Sequence, residues 1–308
     1  MTAPVSVVIP LYNASATIGA ALDSVAAQTR RPAEIIVVDD GSTDDGGILV
    51  SARGDVRLIT QPNNGVAAAR NAGLAAARTP FVAFLDADDL WCPGHLARLL
   101  ALAEHFPEAA ILGARFVPVP TDATLGDAQR AEQGDGESRR ADYIAEAAAG
   151  AASFYTSSCM VRADVARAEG GFPEGESHGE DMALWIRLSE RHGAAATTAT
   201  GALYRRSGTG LTGRAVTVPD AAMRALDGLM HDATPVRRTV MQALRSRLAL
   251  AHSFDALARG DRAHARAAFA EAGVAFPARR AVARLLLALP APAARAAFAL
   301  RATLTGHA

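Results

Sequence analysis

Short apolar runs that stop at proline or at paired aspartates, and that alternate with segments of helical period, constrain this chain more than any other feature. Val5–Ile9 ends at Pro10, and Glu34–Val38 runs into Asp39-Asp40-Gly41-Ser42. Val56–Ile59 is a third run, and Phe81–Leu85 ends in Asp86-Ala87-Asp88-Asp89. Runs of this length suit strands buried on both faces of a parallel sheet. Between them, 16–27 places Ile18, Leu22 and Val25 on one face, 65–77 is an alanine-rich helix, and 93–106 places Leu96, Leu99, Leu100 and Ala103 on one face, with Pro93 at its start. The pattern predicts an α/β fold of βαβ units around a mostly parallel central sheet. Right-handed crossovers then gather the loops 10–13, 39–44 and 86–89 beyond the strand C-termini, the edge where open α/β sheets bind ligands.

The rest of the chain is less regular. The stretch 118–140 is polar and reads as a long loop. Helical period returns at 143–149, Ser157–Val161 suits a strand, and 180–191 is helical with Leu184, Trp185 and Leu188 on one stripe. Leu203–Arg205 fits a last strand. From about Pro219 the chain becomes rich in Ala, Leu and Arg, and Pro235, Gly260-Asp261, Pro277 and Pro290 divide it into roughly four helices. The expected organisation is a catalytic domain over 1–215 and a helical region over 216–308. Apolar segments flanked by arginine, 281–289 and 293–304, leave three roles open for that region: packing on the catalytic domain, forming a homodimer, or touching a membrane peripherally. Packing is the leading one.

Composition removes several chemistries. The 308 residues contain no lysine, which excludes a Schiff-base lysine and the phosphate-loop lysine of nucleotide hydrolases. A net charge of −1 gives no reason to expect a nucleic-acid partner. Cys92 and Cys159 lack the spacing of a zinc cluster. No long charge-free apolar run is present, and Met1-Thr2-Ala3-Pro4 leads directly into a strand, so a cytoplasmic setting is expected, with the inner membrane face as the peripheral option.

Three acidic clusters remain: Asp39-Asp40, Asp86-Ala87-Asp88-Asp89 and Glu180-Asp181. Each alone is equally well a turn or a helix cap. Together at one sheet edge they repel, by about 4 kcal/mol for two charges ~4 Å apart at intermediate dielectric. A hard divalent cation such as Mg²⁺ or Mn²⁺ would relieve that repulsion and also bind phosphate.

Val7-Val-Ile-Pro-Leu-Tyr-Asn13, Ile36-Val-Val-Asp-Asp-Gly-Ser-Thr-Asp44, Asn64-Gly-Val-Ala-Ala-Ala-Arg-Asn-Ala-Gly73, Phe84-Leu-Asp-Ala-Asp-Asp89 and Glu180-Asp181 before Leu184-Trp185 resemble the family 2 glycosyltransferases. The motifs keep the family's order over residues 4–215. The resemblance implies a glycosyltransferase-A fold and transfer of a sugar, with inversion, from a UDP- or dTDP-sugar to a hydroxyl of a glycan or lipid-linked acceptor. Pro10 and Tyr12 would line the nucleotide pocket, Asp39 would accept a hydrogen bond from the base, and Arg70 would border the nucleotide. Asp86 and Asp88 would form the Asp-X-Asp signature, one toward the ribose and the other, Asp88, toward the metal. Asp181 would be the catalytic base, and Glu180 would orient the loop or the acceptor. Asp89 is read as a secondary ligand or a cap for the helix near Pro93. Trp185 is read as core, and Trp91 as either core or a wall of the acceptor cleft.

The ending departs from the family pattern. Where many members carry a late histidine, Tyr204-Arg-Arg is followed by Ser207, so Arg205 or Arg206 becomes the candidate phosphate ligand and Gly208–Gly213 a flap over the donor. A sugar nucleotidyltransferase fits poorly, because its signature lysine is absent. A non-catalytic scaffold of the same fold is the other alternative, and the presence of Asp88 and Asp181 argues against it.

Overall fold

The computed structural model describes residues 2–290 except 133, 135, 177 and 207–216, with residue 293 beyond. Ser207, the glycine-rich stretch 208–213 and the segment 293–304 therefore lie outside the described residues, Ala293 apart.

Strands β1 (Ala3–Leu11), β2 (Pro32–Asp39), β3 (Arg57–Thr60) and β4 (Phe81–Phe84) lie in the order β3-β2-β1-β4, all parallel. β1 is central because it can be buried on both faces: Val5, Val7, Val8, Ile9 and Leu11 have no exposed surface. Register sets Leu11 against Asp39, Asp39 against Thr60 and Val8 against Phe84, so the strand C-termini share one edge. Helices α1 (Ile18–Ala26), α2 (Gly46–Ser51), α3 (Val66–Ala76) and α4 (His95–His105) follow these strands, with the two-residue β5 (Leu90–Trp91) before α4. α1 and α4 cover one face, where Ile18, Leu22, Leu96 and Leu99 pack with Val7, Ile9 and Val37. α3 covers the other, where Ala67, Ala69 and Leu74 meet Val8, Ile36 and Val38. Contact is closest at Gly73: a methyl there would fall 2.3 Å from Val8 Cγ1.

The second half continues with β6 (Ile111–Pro120), α5 (Leu125–Ala131), β7 (Ser138–Ala141) and α6 (Tyr143–Ala149). A 3₁₀ turn (Thr156–Ser158), β8 (Cys159–Arg162), α7 (Ala163–Ala168), α8 (Glu180–His192) and β9 (Ala194–Arg206) complete it. β8 inserts antiparallel between β4 and β6, while β9 runs parallel to β6 and antiparallel to β5 and β7. The sheet is thus parallel in its first half and mixed in its second. The stretch 118–140 is not one loop. It holds the end of β6, α5 and most of β7. α5 buries only Ala128 and is started by a reciprocal cap in which the Thr124 N–H donates to Asp127 Oδ2 at 2.8 Å. β7 is almost wholly exposed. Neither element has an apolar stripe for a periodicity argument to find.

Helices α9 (Ala221–Met230), α10 (Pro235–Arg259), α11 (Arg262–Glu271) and α12 (Pro277–Ala288) close the described chain. Their limits follow the punctuation of the sequence: Pro235 opens α10, left-handed Gly260 ends it, Asp261 caps α11 and Pro277 opens α12. Ala222, Leu226, Met241 and Leu244 belong to the same buried cluster as Leu184, Trp185 and Leu188 of α8. Arg237 of α10 adds ion pairs to Glu190 and, at 2.8 Å, to Asp142. No helix among the described residues is long and apolar enough to cross a membrane.

Candidate active site at the sheet edge

The loops after β1 and β2 are tied to each other. Asn13, in a left-handed conformation (φ 48°), accepts from the Thr43 N–H at 2.8 Å, and its own N–H donates to Ser42 Oγ at 3.1 Å. The Ser15 N–H donates to Asp44 Oδ2 at 2.7 Å. The adjacent aspartates then part in role. Asp40 accepts from Gln61 Nε2 at 2.8 Å, Asn64 N–H at 3.0 Å and Gly65 N–H at 2.8 Å, so it is a fully used anchor for the turn into α3. Asp39 accepts one such bond, from the Ser42 N–H at 2.9 Å, and lies so close to α2 that a methyl on Gly47 would sit 2.6 Å from its Oδ2. Tyr12 beside them is 48 % exposed, while Pro10 is buried within β1.

Beyond β4 the carboxylates converge on Arg70. This guanidinium, on α3, donates to Asp86 Oδ1 at 2.8 Å and to Glu180 Oε1 at 2.9 Å, bridging the end of β4 to the first turn of α8. Burial works to lower its pKa, but Asp86, Glu180 and Asp181 outweigh burial and hold it above its ordinary value. Arg70 is therefore not a solvated helix residue: it is buried, and each terminal nitrogen donates to a carboxylate. Burial and Asp181 push Glu180 upward against the pull of Arg70. Asp181 accepts from the Thr156 hydroxyl at 2.7 Å and from the Met182 N–H at 2.6 Å.

Asp89 does not cap α4, whose N-cap is Gly94. It is fully buried, accepting from the Tyr155 hydroxyl at 2.8 Å, the Ser157 hydroxyl at 2.6 Å and the Arg205 N–H at 3.0 Å, and burial followed by Asp86 pushes it up to about 8. Trp91 is core and lines no cleft; its indole N–H donates to the Ser157 carbonyl at 2.5 Å. Trp185 is core as expected. Arg205 is buried and its Nε donates to the Asp88 carbonyl, whereas Arg206 is exposed. Tyr155, Thr156 and Ser157 are the site residues that sequence reasoning misses. Their one signal is a run of four hydroxyl side chains, Tyr155-Thr-Ser-Ser158, directly before β8.

Asp88 is the carboxylate left over. Burial and Asp86 push it above the ordinary range, and no other side chain among the described residues donates to its carboxylate. Among the described residues no group of three His, Cys, Asp or Glu side chains forms a protein cage for a metal. Asp88 and Asp86 would give a hard cation two carboxylates at most, Asp86 being already paired with Arg70, so its remaining ligands would have to come from a phosphate and water.

A family model described as glycosyl transferase family 2 matches residues 6–166, just over half the chain. The chain belongs to glycosyl transferase family 2. Glu180 and Asp181 lie beyond the matched residues. Staphylococcus aureus TarS residues 1–349, crystallised in complex with UDP-GlcNAc, has the same fold, with a TM-score of 0.65 at 17 % identity over 97 % of this chain and 89 % of that one. An uncharacterised glycosyltransferase of Nostoc is 41 % identical over 114 residues, 35 % of this chain and 34 % of its own. The Escherichia coli protein WfaP, named as a UDP-Glc:α-D-GlcNAc-diphosphoundecaprenol β-1,3-glucosyltransferase, is 43 % identical over 90 residues, 28 % of this chain and 36 % of its own. The succinoglycan biosynthesis protein ExoU of Rhizobium meliloti is 40 % identical over 104 residues, 32 % of this chain and 30 % of its own. This family 2 chain thus spans about a third of the length of the curated relatives that it matches.

Proposed function

We propose that this chain is an inverting glycosyltransferase that moves a sugar from a UDP- or dTDP-sugar to an acceptor hydroxyl in the synthesis of a cell-surface glycan. The observation that carries the reading is the Arg70 bridge, which sets the carboxylates of β4 and of α8 around one point at the C-terminal edge of the sheet. Asp39 lies two strands away, roughly 10 Å at the usual strand spacing, a distance that a nucleoside diphosphate spans. Asp39 and Tyr12 hold the base, Asp86 faces the ribose, and Asp88, with Asp86 beside it, would hold Mn²⁺ or Mg²⁺. When bound, the cation supplies charge neutralisation for the departing diphosphate.

The remaining chemistry belongs to the chain. Asp181 takes the proton of the acceptor hydroxyl as its oxygen attacks the anomeric carbon; the bond to the diphosphate oxygen breaks on the opposite face, inverting the centre. The Thr156 hydroxyl and the Met182 N–H orient that carboxylate. A diphosphoundecaprenol-linked sugar, named for WfaP, is one acceptor of the proposed lipid-linked class. Such an acceptor suits a cytoplasmic enzyme that meets the membrane peripherally. Thermal-shift measurements with UDP- and dTDP-sugars and Mn²⁺ test the reading: the cognate donor raises Tm by linkage, and EDTA or Asp88→Ala removes the shift. No shift with any donor would sink it.

A further inference from the structure

The C-terminal helices reach the site at a point that none of the motifs names. Asp220, 3 % exposed, uses both its oxygens: Oδ1 accepts from the Met223 N–H at 2.8 Å and caps α9, and Oδ2 lies 2.7 Å from His252 Nε2 on α10. The same carboxylate lies against the turn that leads into α8. A methyl placed on Gly179 would fall 3.0 Å from Asp220 Oδ2 and 3.1 Å from the Ala222 nitrogen. Gly179 is the N-cap of α8, left-handed (φ 79°), and offers no side-chain cap. One turn further along α9, Arg224 pairs with Glu176 on the approach to that turn. At the other end of the approach, Asn71, the neighbour of Arg70 on α3, donates to the Phe172 carbonyl at 2.8 Å and accepts from the Phe172 N–H at 2.8 Å.

Gly179 supplies no side-chain cap, and of the first N–H groups of α8 that of Met182 is met by Asp181 itself, so the entry of the chain into the helix depends on what packs behind the Gly179 turn. Here Asp220, held on its far side by His252, packs behind it. We propose that the Asp220–His252 pair is a positioning unit for Asp181, fixing the Gly179 turn so that the first turn of α8 presents Asp181 to the Thr156 hydroxyl and to the acceptor. This rests on the reading of Asp181 as the base. Neither residue touches substrate; both act through the Gly179 turn. A displacement of about 1 Å in a base costs on the order of 10²-fold in rate, so a modest relaxation of the turn is enough to be measured.

The experiment compares His252→Leu, which keeps bulk but loses the N–H, with His252→Gln, which retains an N–H able to reach Asp220. Amide hydrogen exchange of the peptide covering 174–184 is expected to accelerate about tenfold in His252→Leu and to return most of the way in His252→Gln, with β1 and β2 unchanged. With Mn²⁺ and UDP-glucose or UDP-GlcNAc, kcat for UDP release is expected to fall about tenfold in His252→Leu while KM for the donor stays within about twofold, again with rescue by Gln. Unchanged exchange at 174–184, or equal acceleration across the whole chain, would overturn the proposal. Should His252→Leu fail to fold, His252→Asn, whose amide is too short to reach Asp220, carries the same exchange measurement with the same outcomes. Asp181→Asn separates the two ideas. Full UDP release by that variant overturns the base reading while exchange still judges the clamp; its inactivity together with parental kcat in His252→Leu overturns the positioning role alone.

Discussion

Burying a charged group between two others makes each depend on the rest, and Arg70 is the case on which most turns. Arg70→Met would leave Asp86 and Glu180 facing each other, part-buried and unpaired, at a cost of about 3–5 kcal/mol. Arg70→Lys keeps the charge but cannot serve both carboxylates with a planar fork. The expected result is a lower Tm for both, with Lys intermediate in stability yet poor in turnover; a fully active Arg70→Lys would refute the bridge. Asp181→Asn removes the base and keeps the shape, so kcat should fall about 10²–10⁴-fold with little change in donor binding, as steady-state kinetics will show. His95 is a different case. Its ring is wholly buried against Trp91, neither ring nitrogen has a hydrogen-bond partner among the described residues, and burial followed by Arg98 drops its pKa from 6.5 to about 3. The unfolded chain then binds a proton that the folded chain refuses. Stability that is present above pH 6.5 should be lost by about 1.4 kcal/mol per unit as pH falls toward 3. Urea unfolding of His95→Phe between pH 7 and pH 4 should show a flatter acid limb than the parent; an identical slope would rule this cause out.

At the scale of elements, the sequence is legible where an element buries one face and opaque where it does not. β1, β2 and β4 are continuous apolar runs because α1 and α4 cover one side of the sheet and α3 the other, so period and termini could be read directly. α5 and β7 expose nearly everything, and β9 is built of alanine and threonine, residues that carry no strand pattern until Leu203. The site divides the same way. Carboxylates at strand ends announce themselves, but the partition of Asp39 from Asp40, or the burial of Asp89, depends on donors that the chain delivers from elsewhere, such as Gln61, Tyr155 and Arg205. α3 shows how packing overrules propensity. Alanine in place of Gly73 would favour the helix by about 1 kcal/mol on intrinsic grounds. The methyl would instead meet Val8 on the central strand, and overpacking of that kind costs about 1–3 kcal/mol or more. Gly73→Ala should therefore lower Tm, and pairing it with Val8→Ala should recover part of the loss; additivity in that cycle would show that the two side chains do not meet.

For the whole molecule, the question is whether the C-terminal helices form an appendage or complete the core. Composition changes near Pro219, and that change invites a boundary there. The buried cluster crosses it: Ala222 and Leu226 of α9 and Met241 and Leu244 of α10 share one core with Leu184, Trp185 and Leu188. α8 carries Asp181 on its first turn and Glu190 near its last, and the helices beyond 219 hold both ends, through Asp220 and Arg224 at the first and Arg237 at the last. Ending the chain at Val218 would remove Ala222, Leu226, Met241 and Leu244 from the buried cluster they share with α8, a loss of apolar contact that large-to-small substitutions in cores put at about 2–5 kcal/mol per large side chain. Most domains have only about 5–15 kcal/mol in hand. That truncation should accumulate as insoluble protein or lose its near-ultraviolet circular dichroism. Ending the chain at Arg259 is a gentler cut. It removes α11 and α12, whose buried contacts form small clusters around Leu250 and Leu257, and leaves the shared core and the Asp220–His252 pair intact. The shorter chain should stay folded and bind donor, with Tm lowered. If the cut at Val218 gave a soluble protein with parental Tm, the helices would be an appendage after all, and the hold on α8 would contribute nothing to its stability.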